Sequence, residues 1–143
     1  MTFIEALYGS QYYEITSKGR DGAAGRLNGN LFLSAFVMIC MFLVIVVIIT
    51  FSDNFTQEIN RLFHKLFGYS SGKTIGRLLA IPLIGLIYFA ISNTVGSKTN
   101  YEKTTKSFME YPDEEKQKAG MKILKPFLIV LGLLFVLSMV SLF

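Results

Sequence analysis

Residues 31–51 read LFLSAFVMICMFLVIVVIITF, a run of 21 residues without a charged side chain. Fifteen of these residues are Leu, Ile, Val or Phe. A helix needs about 20 apolar residues to cross a hydrocarbon core of about 30 Å. Such residues each favour insertion by about 0.3–0.6 kcal/mol near the bilayer centre, so Ser34 and Thr50 do not offset the sum. The run predicts a transmembrane helix over residues 31–51.

Two further stretches carry no charge, residues 78–97 and residues 126–143. The second resembles the first run in composition. The stretch 78–97 is weaker, because it contains a proline, a glycine and a polar Ser-Asn-Thr sequence, but its length still favours a span. Because a soluble domain does not segregate its charges in this way, a soluble globular fold is excluded. The predicted fold class is an all-α integral membrane protein with three transmembrane helices.

Residues 52–77 separate the first two spans and are predicted to contain an amphipathic interfacial helix. Apolar side chains recur there at helical spacing, and basic side chains lie mainly on the other face. This pattern is typical of a helix that lies among lipid headgroups, although packing beside the spans explains it equally well. The residues predicted for this membrane-surface helix are Phe55, Ile59, Arg61, Leu62, Phe63, Lys65, Leu66 and Phe67.

The first 30 residues form the predicted N-terminal lead. Apolar residues between Phe3 and Tyr8 indicate one or two amphipathic helical turns. Glycines follow at positions 19, 22, 25 and 29. Such a stretch has little intrinsic reason to hold one conformation, so we expect either a flexible segment or one that a neighbour orders.

Residues 98–125 are predicted to be a basic cytoplasmic loop with short helices. Thr99 and Glu102 fit a capping box at the start of one helix. Pro112 and Asp113 fit the start of another, which can continue directly into the third span. The loop is either solvated or a docking surface, and the docking residues would be Tyr101, Phe108, Met109 and Tyr111.

The basic residues indicate an orientation. Of the 14 Lys and Arg residues, ten lie in residues 1–30 and 98–125 and four lie in residues 52–77. With three crossings the first two segments share a side, and Lys and Arg are enriched on the cytoplasmic side. We therefore expect a cytoplasmic N-terminus and an external C-terminus, in a membrane such as the bacterial inner membrane.

The second span carries two weaker signals. Gly72, Gly76 and Ala80 are spaced by four and form a predicted helix-packing face. Pro82 and Gly85 indicate a kink or a break, and a polar patch follows them. A broken span can hold a substrate with its freed backbone groups, although a structural kink is the simpler explanation. The residues of the kink and polar patch are Pro82, Gly85, Tyr88, Ser92 and Asn93.

Residue types that carry chemistry are scarce. The chain has one Cys, Cys40, and one His, His64. We therefore expect no catalytic residue, no metal site and no cofactor. The sequence from Gly68 to Thr74 imitates a phosphate-binding loop, but it has three residues between the glycines where that motif needs four. No groove-reading motif or stacking platform indicates nucleic acid.

The uncharged blocks contain no Asp, Glu, His, Lys or Arg, which argues against a proton or ion pump. These features favour a non-catalytic accessory or structural subunit of a larger membrane protein complex. Its partners would be membrane lipids, with anionic lipids as one alternative, and other membrane protein subunits. A homo-oligomeric small channel or carrier is the second hypothesis. A lipid-handling membrane enzyme is the least favoured.

Overall fold

The computed structural model describes residues 1–52 and 72–140, together with residues 54, 57, 58, 61, 62, 64, 65 and 68, and the backbone alone for residues 72–79. Over this part of the chain the structure contains helices and no strands, so the all-α prediction is confirmed there. Its elements are α1 (Phe3–Ser17), α2 (Ala24–Phe51), α3 (Gly72–Asn93), α4 (Lys98–Met109) and α5 (Asp113–Val140).

Two of these helices, α2 and α5, are long and apolar enough to cross a membrane, at 28 residues each. A third candidate consists of two helical segments, Ala80–Asn93 and Lys98–Met109, which meet at a bend of 63°. Taken together, they are also long and apolar enough to cross a membrane. The described part of the chain thus has two or three potential spans. Both α2 and α5 begin well before the apolar runs that they contain, so each projects beyond the predicted membrane segment.

The N-terminal lead is more ordered than the short amphipathic turns that we expected. It forms the 15-residue helix α1. Thr2 and Glu5 form a reciprocal capping box, with the Thr2 amide donating to Glu5 Oε2 at 2.7 Å and the Glu5 amide to Thr2 Oγ1 at 3.2 Å. Gly19, at a φ of 71°, follows the end of α1. Two glycines of the glycine-rich stretch, Gly25 and Gly29, lie inside α2 and are buried, which fits the alternative of a segment that its neighbours order.

The predicted N-cap of α4, Thr99, is wrong by two residues, whereas the predicted start of α5 at Pro112 and Asp113 is confirmed. Helix α4 begins at Lys98, and its N-cap is Ser97, whose hydroxyl accepts a hydrogen bond from the Asn100 amide at 3.4 Å. Thr99 is therefore inside the helix and does not cap it. Helix α5 begins at Asp113 with three carboxylates in its first turn, and it continues through Pro126 into the apolar run.

The buried side chains lie at one end of the molecule. Helix α1 packs against α2, α4 and α5, and α2 also packs against α3 and α5. We call this end, formed by α1, α4 and the adjoining ends of α2, α3 and α5, the cap. Its buried apolar residues are Ala6, Leu7, Tyr8, Leu33, Tyr101, Phe108 and Ala119.

Aromatic rings link the helices where the cap meets the apolar runs. The ring of Phe36 on α2 lies 5.6 Å from that of Phe3 and 6.3 Å from that of Phe127 on α5. Phe32 lies 5.7 Å from Phe127. Beyond these rings the helices expose large apolar side chains, including Val44 and Phe135. The cap is thus held by internal contacts, while the apolar lengths present their side chains outward, as spanning helices do to lipid.

Candidate functional site

The centre of the cap is the side-chain amide of Asn30, which is 2 % exposed. Its Oδ1 accepts a hydrogen bond from the Tyr8 hydroxyl at 2.6 Å. Its Nδ2 donates to Ser92 Oγ at 3.1 Å and to the Gly96 carbonyl at 3.3 Å. One amide therefore joins α1, α2, the end of α3 and the turn that follows α3. A buried amide is costly without such partners, so this set of contacts specifies one arrangement of the helices.

Tyr101 is the second anchor of the cap and fastens α4 to the turn before α2. Its hydroxyl donates to the Gly22 carbonyl at 2.6 Å. Its ring makes edge-on contacts with Tyr8 at 5.6 Å and with Tyr12 at 6.4 Å between ring centroids. Such aromatic pairs add about 0.5–1.5 kcal/mol beyond the area that they bury. Helix α4 is therefore joined to α1 by aromatic contacts and to the turn before α2 by a hydrogen bond.

Three glycines allow the helices to approach this closely. A Cβ at Gly29 would overlap the ring of Tyr8, and a Cβ at Gly9 would overlap the ring of Phe108. A Cβ at Gly96 would overlap Oδ1 of Asn30 and lie 2.8 Å from the Tyr8 hydroxyl oxygen. These glycines are required by space, since the cap has no room for a side chain at their positions.

Burial keeps the two anchoring tyrosines in their neutral form. Desolvation raises the pKa of Tyr8 to about 12, and it raises the pKa of Tyr101 to about 12. Arg26 opposes both shifts electrostatically, so its positive charge lies near both rings. Both hydroxyls therefore remain protonated hydrogen-bond donors even at a pH at which an ordinary tyrosine ionises.

A surface cleft of about 520 Å³ opens beside these tyrosines. It lies between the start of α2 and one face of α4. Three of its side chains are cationic and one is a carboxylate. The lining residues are Tyr12, Ala23, Arg26, Lys98, Tyr101, Glu102, Thr105 and Lys106. The cleft combines positive charge with aromatic surface, and this is the arrangement that can hold an anion.

The predicted docking residues divide into two pairs. Tyr101 is 5 % exposed and Phe108 is fully buried, so both pack inside the cap against α1. Met109 is 44 % exposed, and Tyr111 donates a hydrogen bond to Glu5 Oε2 at 3.2 Å. A docking surface at this end would therefore use Met109 and Tyr111 and stays a prediction.

The residues of the predicted kink lie within a helix. Pro82 and Gly85 are both inside α3, which runs from Gly72 to Asn93. Ser92 belongs to the Asn30 network, whereas Asn93 donates to the Phe89 carbonyl at 2.8 Å on its own helix. Tyr88 lies near enough to Tyr8 to add to the rise in the pKa of Tyr8. The polar patch is thus part of the contact between α3 and the cap.

The structure describes the other two predicted sets only in part. Within the surface helix, Arg61, Leu62 and Lys65 are helical and exposed. The packing face begins with Gly72 and Gly76, described as backbone of α3, and ends at the half-buried Ala80. Both roles stay predictions. The residues of the surface helix that the structure does not describe are Phe55, Ile59, Phe63, Leu66 and Phe67.

Sequence reasoning missed Asn30 and Arg26. Asn30 directly precedes the first apolar run, where a polar residue is normally solvated or lies among headgroups. Its burial depends on Ser92 and Tyr8, which are distant in sequence. A usable signal was the adjacent Gly29, because a glycine inside a helix often marks a close approach.

Among the residues that the structure describes, no group of three or more His, Cys, Asp or Glu residues is placed to hold a metal ion. Comparison of the chain with protein-family models, with curated proteins and with solved structures finds no match.

Proposed function

We propose that this chain is a non-catalytic membrane protein that crosses the bilayer three times and serves as an accessory or structural subunit of a larger membrane complex. The observation that carries the proposal is the Asn30 network. The hydrogen bonds of Asn30 hold α1, α2 and α3 together at one end of the apolar helices. They thereby fix the positions of these helices relative to one another, as a structural subunit requires.

The same network supports the crossing number. Asn30 lies where α2 enters its apolar run, and Ser92 lies where α3 ends, with 3.1 Å between their side chains. A chain that crosses along residues 31–51 must return before it reaches Ser92. Helix α3 supplies 22 residues for that return, about 33 Å at 1.5 Å per residue. Helix α4 is unsuited to be half of a span, because Lys98, Glu102 and Lys106 would all enter the bilayer.

The same arrangement supports the proposed orientation. In the cap, α1 and α4 contact each other, so their basic residues lie on one side of the membrane. Ten of the 14 Lys and Arg residues belong to the segments of that side. The cap is then cytoplasmic, and the C-terminus is external. A bacterial inner membrane suits this distribution of charge.

Cysteine labelling tests the topology. In a Cys40→Ser background, single cysteines at Gln11, Lys103 and Glu58 are exposed to a membrane-impermeant thiol reagent in sealed vesicles. We expect positions 11 and 103 to react from one side and position 58 from the other. Reaction of positions 11 and 103 from opposite sides would mean that α3 does not cross.

The accessory role is supported by the apolar surface of the spanning helices. Exposed apolar side chains continue along α2 and α5, where neighbouring helices can pack.

Extraction in a mild detergent, with a tag at residue 1, tests this role: a fixed set of unlike membrane proteins should copurify. A symmetric oligomer of this chain alone that conducts solute in liposomes would contradict the proposal and support the channel hypothesis. Helix α3 continues through Pro82, so a break at that residue does not support the channel hypothesis.

A further inference from the structure

The cleft beside Tyr101 is lined by positively charged side chains that take no part in the contacts that hold the cap together. Arg26, Lys98 and Lys106 line it, and Glu102 is its one carboxylate. Within the described part of the chain these three cations form no ion pair, whereas Lys18 and Lys116 each pair with a carboxylate. The field in the cleft is therefore positive.

Of the three cations in the cleft, Arg26 gives the strongest indication of an anionic ligand. Its side chain is half-buried beside Tyr8 and Tyr101, and its charge is felt by both hydroxyls. A half-buried guanidinium loses hydration and normally recovers it from a carboxylate or a phosphate. Among the described residues no carboxylate forms an ion pair with Arg26, so its donors are available to an anion from outside the chain.

The cleft also lies at a defined depth. Arg26 is five residues before the first residue of the apolar run, or about 7.5 Å along the helix axis. Lys98 follows directly after the uncharged stretch that ends at residue 97. The headgroup layer on each side of a bilayer is about 5–8 Å thick. In a bilayer that these runs cross as proposed, both cations would lie at the level of the lipid phosphates.

We propose that this cleft binds the phosphate group of an anionic phospholipid. Arg26 provides planar paired donors to the phosphate, and Lys98 and Lys106 add charge. Tyr12 also lines the cleft, and its hydroxyl would supply a hydrogen-bonding group for the polar headgroup. A volume of about 520 Å³ falls in the range of small-molecule sites. The site would tie the cap to the membrane surface, whether or not the chain has protein partners.

The test uses the full-length protein in detergent, titrated with phosphatidylglycerol or with phosphatidylcholine of the same acyl chains and read by native mass spectrometry. We expect preferential binding of phosphatidylglycerol. Arg26→Gln should weaken that binding about tenfold, and Lys98→Gln about fivefold. Glu102→Gln removes the opposing carboxylate and should strengthen binding by a few-fold.

Matched controls separate a site from general surface charge. Arg20 and Lys103 are exposed cations close in sequence to the cleft residues but do not line it. Arg20→Gln and Lys103→Gln make the same change in net charge and should alter binding less than twofold. Equal losses in Arg20→Gln and Arg26→Gln would overturn the proposal, as would an unchanged affinity in both Arg26→Gln and Lys98→Gln.

A titration with a soluble phosphate ester distinguishes binding of a lipid phosphate from binding of a free phosphate. Glycerol 3-phosphate is titrated into the same protein in detergent. We expect it to bind much more weakly than phosphatidylglycerol, because the lipid also gains contacts of its chains with the spans. If the soluble ester binds as tightly as the lipid, the lipid assignment is overturned.

Discussion

The hydroxyl of Tyr8 lies 2.6 Å from Oδ1 of Asn30, so a residue near the start of the chain donates a hydrogen bond at the entrance of the first apolar helix. Both residues are buried. The contact converts an N-terminal segment without its own core into part of a packed cap. It also explains why α1 forms a full helix, since an isolated 15-residue helix is only marginally stable in water.

Loss of the Asn30 amide should destabilise the cap. In Asn30→Leu, the Tyr8 hydroxyl and the Gly96 carbonyl lose their partner in a buried place. We expect a loss of about 1–3 kcal/mol in the free energy of unfolding, measured by circular dichroism during denaturation in detergent. The control is Asn28→Leu, because Asn28 is exposed on the same helix. An equal loss in both variants would contradict the role of the network.

The spatial requirement at Gly29 can be measured separately from glycine's effect on helix propensity. Gly29→Ala places a methyl group in the ring of Tyr8 and should cost about 1–3 kcal/mol. Gly120, in α5, has open space at its Cβ position, so Gly120→Ala should be neutral or stabilising by up to about 1 kcal/mol. Thermal unfolding in one detergent compares them. If Gly29→Ala is as stable as Gly120→Ala, the close approach of α1 and α2 is wrong.

The buried tyrosines predict an alkaline limit of stability. Because the folded pKa of Tyr8 and Tyr101 is about 12, against about 10 for an unperturbed tyrosine, folding favours the neutral phenols. Their contribution is complete below pH 10 and is lost as the pH rises through 12. Absorbance at 295 nm should show a late-ionising component that is reduced in Tyr8→Phe and in Tyr101→Phe. A titration that ends near pH 10.5 for all seven tyrosines would contradict this prediction.

A charge in the apolar part of α2 should impair insertion. Val44 is 56 % exposed, and Val44→Lys places an ammonium near the middle of the span at a cost of about 2.5–3.5 kcal/mol. Leu27, 52 % exposed on the same helix, precedes the apolar run and provides the control Leu27→Lys. The measurement is the amount of membrane-inserted protein in each variant. Normal insertion of Val44→Lys would refute the span.

The apolar helices could be predicted from composition because each is encoded locally. A run such as residues 31–51 is apolar over its whole length and needs no partner to reveal its environment. The start of α5 was also predictable, since Pro112 and three following carboxylates form a local signal. The cap could not be predicted, because the sequences of α1 and α4 look like those of polar segments unless the helices that pack against them are known.

Sequence by itself therefore determined that this is an all-helical chain with apolar segments long enough for a membrane, since insertion energy is a sum over neighbouring residues. Tertiary structure alone decided that Asn30, Ser92 and Tyr8 meet, that Tyr101 faces inward and that Arg26 borders a cleft. These contacts join residues separated by 22 to 79 positions. The free energy of such contacts depends on burial and distance, and neither is encoded in any short stretch of the chain.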